Sequence, residues 1–104
     1  MTVDEALLKI INHYGINKQL KYIHSEYFEL DEAILNYEQD DYYDIEEETN
    51  LKYHITEEIA DVMVMLKQFQ YYYGIADSSL QMMMDRKISR QLMRIDKESE
   101  NNEQ

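Results

Sequence analysis

With 104 residues, 44% of them hydrophobic, and no cysteine, proline or tryptophan, the chain fits one all-α domain with a modest core and without disulfides or thiolate zinc sites. Its formal net charge of -12 argues against binding a nucleic-acid polymer, which requires clustered lysine and arginine, although metal ions could still admit a free nucleotide to an acidic site. No apolar run is long enough to span a membrane and the N-terminus lacks a cleavable signal, so we expect a cytoplasmic protein without a membrane partner.

The first two predicted helices are separated by a glycine. Thr2 and Glu5 form a capping-box pattern, so the first helix is expected to begin at Thr2 and to continue to about His13, before Gly15. Asn17 is the expected N-cap of a long second helix. The apolar stripe of that helix consists of Leu20, Ile23, Tyr27, Leu30, Ile34 and Tyr37.

An acidic segment, residues 38–50, separates the two long helices. A helix extension, a loop and a mobile flap all remain open for this segment. A third helix is predicted from about Leu51, with Gly74 at its C-terminal end. Asp77 or Ser78 would then cap a fourth helix.

Short links at the two glycines favour an antiparallel four-helix bundle. We expect a single helical domain over residues 1–95 and a disordered acidic tail over residues 96–104, because the tail has little apolar content. The apolar faces of the long helices are wider than a monomer core needs, which favours a homodimer or homotetramer. The residues that widen these faces are Tyr22, Tyr37, Met63, Met65, Tyr72 and Tyr73.

Two acid pairs occupy the same helical frame, Glu26 with Glu29 and Glu58 with Asp61, and each pair follows an isoleucine three residues upstream. Either pair alone fits a solvated helix face. Together they border one buried seam, where close carboxylates would repel by about 4 kcal/mol per pair at an effective dielectric near 20. A hard cation with oxygen ligands removes that repulsion. The matched pairs therefore predict a divalent-metal site.

Other carboxylate or histidine sites fit the sequence less well. A di-iron bundle needs glutamate three residues before a histidine on two helices, and His13, His24 and His54 have none there. An EF-hand loop needs a glycine, which the acidic segment lacks. The histidines also lack zinc-type spacing.

The paired acids and their surroundings resemble the MazG-like, all-alpha nucleotide pyrophosphohydrolases over roughly residues 17 to 94. QLKYIHSEYFELDEAI is similar to the glutamine-led helix of that family, EEIADVMVML to its second acidic helix, and DRKISR to its basic element. The chain departs from the family pattern at Ser25, at Tyr22, where many relatives have lysine, and at Asp85. The four acidic residues that match the metal ligands of the family are nevertheless all present.

The resemblance implies Mg²⁺-dependent hydrolysis of a nucleoside triphosphate (NTP or dNTP) to the monophosphate and pyrophosphate, with Mn²⁺ able to substitute. It assigns substrate phosphate or base contacts to Gln19, Lys87 and Arg90. Phosphoribosyl-ATP pyrophosphatase and a non-catalytic acidic partner-binding module remain alternatives. The implied metal ligands are Glu26, Glu29, Glu58 and Asp61. Glu57 occupies an adjoining acidic position. The sequence leaves open which glutamate accepts a proton from water.

Overall fold

The computed structural model describes residues 1–39 and 44–102. Within them lie four helices and no strand, which confirms the all-α fold class. In chain order the helices are α1 (Val3–Tyr14), α2 (Ile16–Gln39), α3 (Ile45–Tyr72) and α4 (Asp77–Asn102). No helix in these ranges has the length and apolarity needed to cross a bilayer.

The predicted capping box begins α1. Thr2 Oγ1 accepts the Glu5 backbone N–H at 3.2 Å, and the Glu5 carboxylate accepts the Thr2 N–H at 3.3 Å. Gly15 ends the helix with φ 89° and ψ 151°, and its N–H donates to the Ile11 carbonyl at 2.7 Å. Two of the helix's otherwise unpaired N-terminal donors and one C-terminal acceptor are thereby satisfied.

The expected N-cap of the second helix was wrong. Helix α2 begins at Ile16, so Asn17 lies inside it. The Gly15 carbonyl accepts the Gln19 N–H at 3.1 Å. One glycine therefore ends α1 and supplies the first acceptor of α2, which leaves no separate capping residue between them.

The predicted start of the third helix at Leu51 was also wrong, because α3 begins at Ile45. The Asp44 carboxylate accepts the Glu47 N–H at 2.7 Å and caps the helix. Three glutamates in the first turn are stabilised by the positive end of the helix dipole. Residues 45–50 are thus a helix extension, whereas residues 40–43 of the acidic segment lie outside the described residues.

The chain divides into two units, Met1–Tyr73 and Gly74–Gln104, and the expected single domain over residues 1–95 stays a prediction. In the first unit α2 packs along α3, and α1 contacts both helices. Its buried apolar core consists of Leu7, Ile11, Ile23, Ala33, Val62 and Met65.

The second unit contains α4, which continues to Asn102. Residues 96–102 of the expected disordered tail are therefore helical, and residues 103–104 lie outside the described part of the chain. Low apolar content alone did not prevent helix formation there, because glutamate, lysine and other polar residues still have adequate helix propensity.

Replacing Gly15 with alanine should lower the free energy of unfolding by about 1–3 kcal/mol, since its positive φ with extended ψ is a conformation that essentially only glycine adopts. Urea denaturation followed by circular dichroism measures the change. Asn12→Ala, an exposed substitution on α1, is the control and should stay within about 0.5 kcal/mol. Equal stability of the two variants would contradict the role of Gly15.

Candidate functional site

The two acid pairs meet across the α2–α3 contact. Glu26 and Glu29 come from α2, and Glu58 and Asp61 come from α3. One carboxylate oxygen from each of the four lies within 4.8 Å of the others. The spacing of three residues places each pair on one helix face, and the side-by-side packing of α2 and α3 brings the two faces together.

Burial divides the four carboxylates into two classes. Glu26 and Glu58 are only 6% and 8% exposed, whereas Glu29 and Asp61 are exposed. One buried oxygen of Glu26 and one of Glu58, Oε2 in each case, has no hydrogen-bond partner among the described residues. A buried anionic oxygen without a partner is unfavourable, so these two atoms require a proton or a cation.

The electrostatics of the cluster agree with this requirement. Burial raises the pKa of both Glu26 and Glu58, and the negative charges of Glu29 and Asp61 raise both pKa values further. Two smaller effects act in the opposite direction. A hydrogen bond with the Tyr22 hydroxyl lowers the pKa of Glu26, and the nearby His54 lowers that of Glu58.

Tyr22 and His54 form the edge of the cluster. The negative charge of Glu26 is the main cause of a raised pKa at Tyr22, and the hydrogen bond between them adds to it. The hydroxyl therefore stays protonated and can donate to the carboxylate. His54 Nδ1 lies 4.0 Å from Glu58 Oε1, and the histidine side chain is about half exposed.

The four carboxylates fit a hard divalent cation. The donor set contains only oxygen atoms, which suits Mg²⁺ or Mn²⁺ better than softer metals. The unpartnered oxygens of Glu26 and Glu58 are the atoms whose burial a cation would offset. The residues present therefore fit the predicted metal site, and the metal assignment itself stays a prediction.

A pocket of about 480 Å³ adjoins the acidic cluster. Glu26 and Asp61 lie in its wall, so it opens onto two of the four carboxylates. Gln19 lines it too, as the sequence resemblance predicted for a substrate contact. The remaining lining residues come from all three helices of the first unit and are Ile10, Tyr14, Lys18, Tyr22, Val64, Met65 and Gln68.

Three other predicted site residues lie outside this cluster. Glu57 is exposed on α3 and does not belong to the group of four. Lys87 and Arg90 are exposed on α4, in the second unit, and their assignment to substrate phosphate stays a prediction. At about 100° per residue, all five basic residues of α4 fall within an arc of roughly 100°, namely Arg86, Lys87, Arg90, Arg94 and Lys97.

Sequence reasoning missed Gln68, which is 2% exposed and accepts a hydrogen bond from Gln19. A signal was present in the spacing. Gln19 precedes Glu26 by seven residues and Gln68 follows Asp61 by seven, which places each glutamine two turns from an acid on nearly the same helix face. The glutamine precedes the acid on α2 and follows it on α3, as expected for two antiparallel helices.

The comparisons with known proteins give no match: no protein-family model, curated protein or solved structure resembles the chain closely enough. The likeness to MazG-like enzymes therefore depends on the acidic and basic motifs quoted above and stays a prediction.

In a metal-free buffer, Glu26→Gln should stabilise the protein. The folded-state pKa of Glu26 is raised, so the folded chain keeps a proton that the unfolded chain has lost, and stability falls as pH rises from the ordinary glutamate range through the raised pKa. The variant should show a weaker decline and a higher melting temperature at neutral pH.

Thermal denaturation in the presence of a chelator, between about pH 4 and pH 8, measures both effects. Glu32→Gln removes one exposed charge from the same helix and is the matched control. If the two variants gained the same stability, the effect would be a response to net charge and not to the buried site.

Proposed function

We propose that the protein is a metal-dependent nucleoside triphosphate pyrophosphohydrolase of the MazG-like type. The observation that carries the proposal is the convergence of four carboxylates from two helices, with ligand oxygens within 4.8 Å of one another, at the wall of a pocket of about 480 Å³. A pocket of that size is in the usual range for small-molecule ligands.

Glu26, Glu29, Glu58 and Asp61 would hold the metal, with Mg²⁺ as the proposed ion and Mn²⁺ as a substitute. When bound, the metal supplies charge neutralisation for phosphate oxygens and a lowered pKa for water. Without the ion, the carboxylates would repel a polyphosphate. Substrate binding should therefore depend on the bound ion.

In the proposed reaction, water attacks the α phosphorus and the bond to the bridging oxygen of the β phosphate breaks, which releases pyrophosphate and leaves the monophosphate. A carboxylate of the site accepts the proton of the attacking water. The candidates for this role are Glu26, Glu29, Glu57 and Glu58.

A non-catalytic acidic module is the main alternative, and the net charge of -12 agrees with it. A module that mimics nucleic acid needs its acids on an outer surface. Glu26 and Glu58 are buried instead, and one oxygen of each has no hydrogen-bond partner in the part of the chain that the structure describes. This burial favours a site that binds a cation over a surface that only displays charge.

The first experiment is an assay of pyrophosphate release from canonical and modified nucleoside triphosphates and from phosphoribosyl-ATP, with Mg²⁺ and with a chelator. We expect metal-dependent release of pyrophosphate together with the matching monophosphate. Release from phosphoribosyl-ATP alone would identify the alternative enzyme. Absence of release from every substrate, together with absence of metal binding, would favour the non-catalytic module.

Asp61→Asn should weaken metal binding and lower kcat/KM by at least about 100-fold, since even residues that only orient metal ligands contribute 10–100-fold. Calorimetric titration with Mn²⁺ and the pyrophosphate assay measure the two effects. Asp31→Asn, an exposed change on α2, should leave both unchanged. Loss of helix content in Asp61→Asn would instead show that the residue has a structural role.

The protein is also proposed to form a homodimer or homotetramer. Large apolar side chains are exposed on both long helices of the first unit, which is typical of an interface when they are contiguous. On α2, Phe28 is 62% exposed. The other exposed apolar residues that support this proposal are Tyr27, Ile34, Leu35, Ile59, Met63 and Leu66.

Phe28→Asp should shift the protein to a smaller species, because a charge placed in an apolar interface is desolvated without a partner. Light scattering coupled to size-exclusion chromatography measures the mass of the wild type and the variant. Ser25→Asp adds the same charge at an exposed position of α2 and is the control. A monomeric wild type would disprove the proposed oligomer.

A further inference from the structure

Helix α4 carries an apolar face that is exposed. Met84, Ile88, Leu92 and Ile95 are each between 48% and 57% exposed. At about 100° per residue, these four side chains and Leu80 lie within an arc of roughly 120° on the helix. Most of the stability of a helix in a protein comes from packing of such a face against another element. A partner is therefore expected for α4.

The spacing along this face is that of a helix that pairs with another helix. Met84, Ile88, Gln91 and Ile95 follow one another at intervals of four, three and four residues, as the facing positions of a coiled coil do. Gln91 is the polar member of this series. In a coiled coil, one polar residue among the facing positions fixes the register, because it is best placed opposite the same residue of an identical helix.

Charged residues lie along both edges of the apolar face. Lys87 and Arg94 lie roughly 80–100° from its centre on one side, and Asp85 and Asp96 lie equally far on the other side. All four are exposed. The Asp85 carboxylate accepts the Gln81 amide at 2.9 Å and has acceptor capacity left for a cation. One edge of the face is therefore basic and the other is acidic.

The two edges favour one orientation of a helix pair. If two α4 helices pack parallel through this face, the basic edge of each lies beside the acidic edge of the other. In register, Lys87 is then within about 3 Å of the level of Asp85 along the axis, and Arg94 is equally close to the level of Asp96. An antiparallel pair would instead place like charges together along both edges, which is repulsive.

The helices of the first unit match this face less well. Both α2 and α3 contain many more acidic than basic residues. Against either of them, the acidic edge formed by Asp85 and Asp96 would meet further acids. A second copy of α4 offers a basic edge to the acidic one and an acidic edge to the basic one, so it complements both.

We propose that α4 pairs, parallel and in register, with α4 of a second copy of the chain, through the face that contains Met84, Ile88, Gln91 and Ile95. This interface is separate from the one proposed for the exposed apolar residues of α2 and α3. Two different twofold interfaces on one chain would together produce a tetramer. The pairing of α4 requires neither a metal ion nor a nucleotide.

The test uses introduced cysteines, because the chain has none of its own. Gln81→Cys and Gln91→Cys each place a thiol at a facing position, and neither removes an apolar or charged side chain. A disulfide forms only where the two Cα atoms come within about 7 Å. A parallel pair in register brings both positions to their own counterparts, whereas an antiparallel pair can do so only at its midpoint. Ser89→Cys, about 120° from the centre of the face, is the control.

Under mild oxidation of the full-length protein, Gln81→Cys and Gln91→Cys should form covalent dimers at least about 10-fold faster than Ser89→Cys, since paired thiols have a high effective concentration. Non-reducing electrophoresis measures the rates. Equal rates at the three positions would overturn the pairing. Rapid dimer formation at only one of the two facing positions would overturn the parallel orientation.

A charge exchange tests the edges in the Gln91→Cys background. Lys87→Asp with Arg94→Asp makes both edges acidic, and Asp85→Lys with Asp96→Lys makes both basic. Each variant alone should form dimers at least about 10-fold more slowly, because like charges then face each other. An equal mixture should recover rapid formation of the mixed dimer, which a folding defect would prevent.

A mixture that stays as slow as its components would overturn the role of the charged edges. Circular dichroism of each variant shows whether its helix content is retained. The measurements contain no nucleotide and no metal ion, so failure of the pairing leaves the proposed hydrolysis standing. Absence of hydrolysis would likewise leave the pairing of α4 unaffected.

Discussion

The rest of the structure depends on the repulsion among four carboxylates that two helices hold together. Their ligand oxygens lie within 4.8 Å of one another, and two of the four side chains are buried. Folding must therefore place charge where neither water nor an ion pair fully compensates it, and hydrophobic packing of α2 on α3 has to exceed that repulsion. A bound cation would convert the repulsion into attraction, since each carboxylate would then face a positive charge. Under the proposed function, cation binding would therefore stabilise the fold.

The same pair of helices provides two chemically different surfaces within one pocket. Towards Glu26 and Asp61 the wall is acidic, which would suit the cation and the phosphates of the proposed substrate. Towards Gln19 and Gln68 it is neutral and hydrogen-bonding, with tyrosine rings and aliphatic groups nearby. A nucleotide has this polarity, with a charged end and a flat, weakly polar base. The seven-residue interval between glutamine and acid on each helix produces the separation between the two surfaces.

Much of the first unit could be predicted because its determinants are local or periodic. The capping box at Thr2 and the glycine that ends α1 depend on a few adjacent residues. The convergence of the acids follows from equal phase on two neighbouring helices. The start of α3 was missed because an acidic run carries no apolar periodicity, and its stabilisation by Asp44 and the helix dipole is not visible in a hydrophobic pattern. Gln68 was missed because a glutamine at a core position looks like a surface residue until its partner, Gln19, is placed opposite it.

Burial of these polar groups is itself an argument about function. Apolar residues at Glu26 and Glu58 would pack the α2–α3 contact without unsatisfied carboxylate oxygens, and replacing buried charge with well-packed apolar side chains is often neutral or stabilising. The sequence instead keeps two raised-pKa acids and two oriented amides within one pocket. Stability given up at several neighbouring positions is typical of sites that bind a ligand. A bound cation would satisfy the buried oxygens of Glu26 and Glu58 that have no hydrogen-bond partner among the described residues.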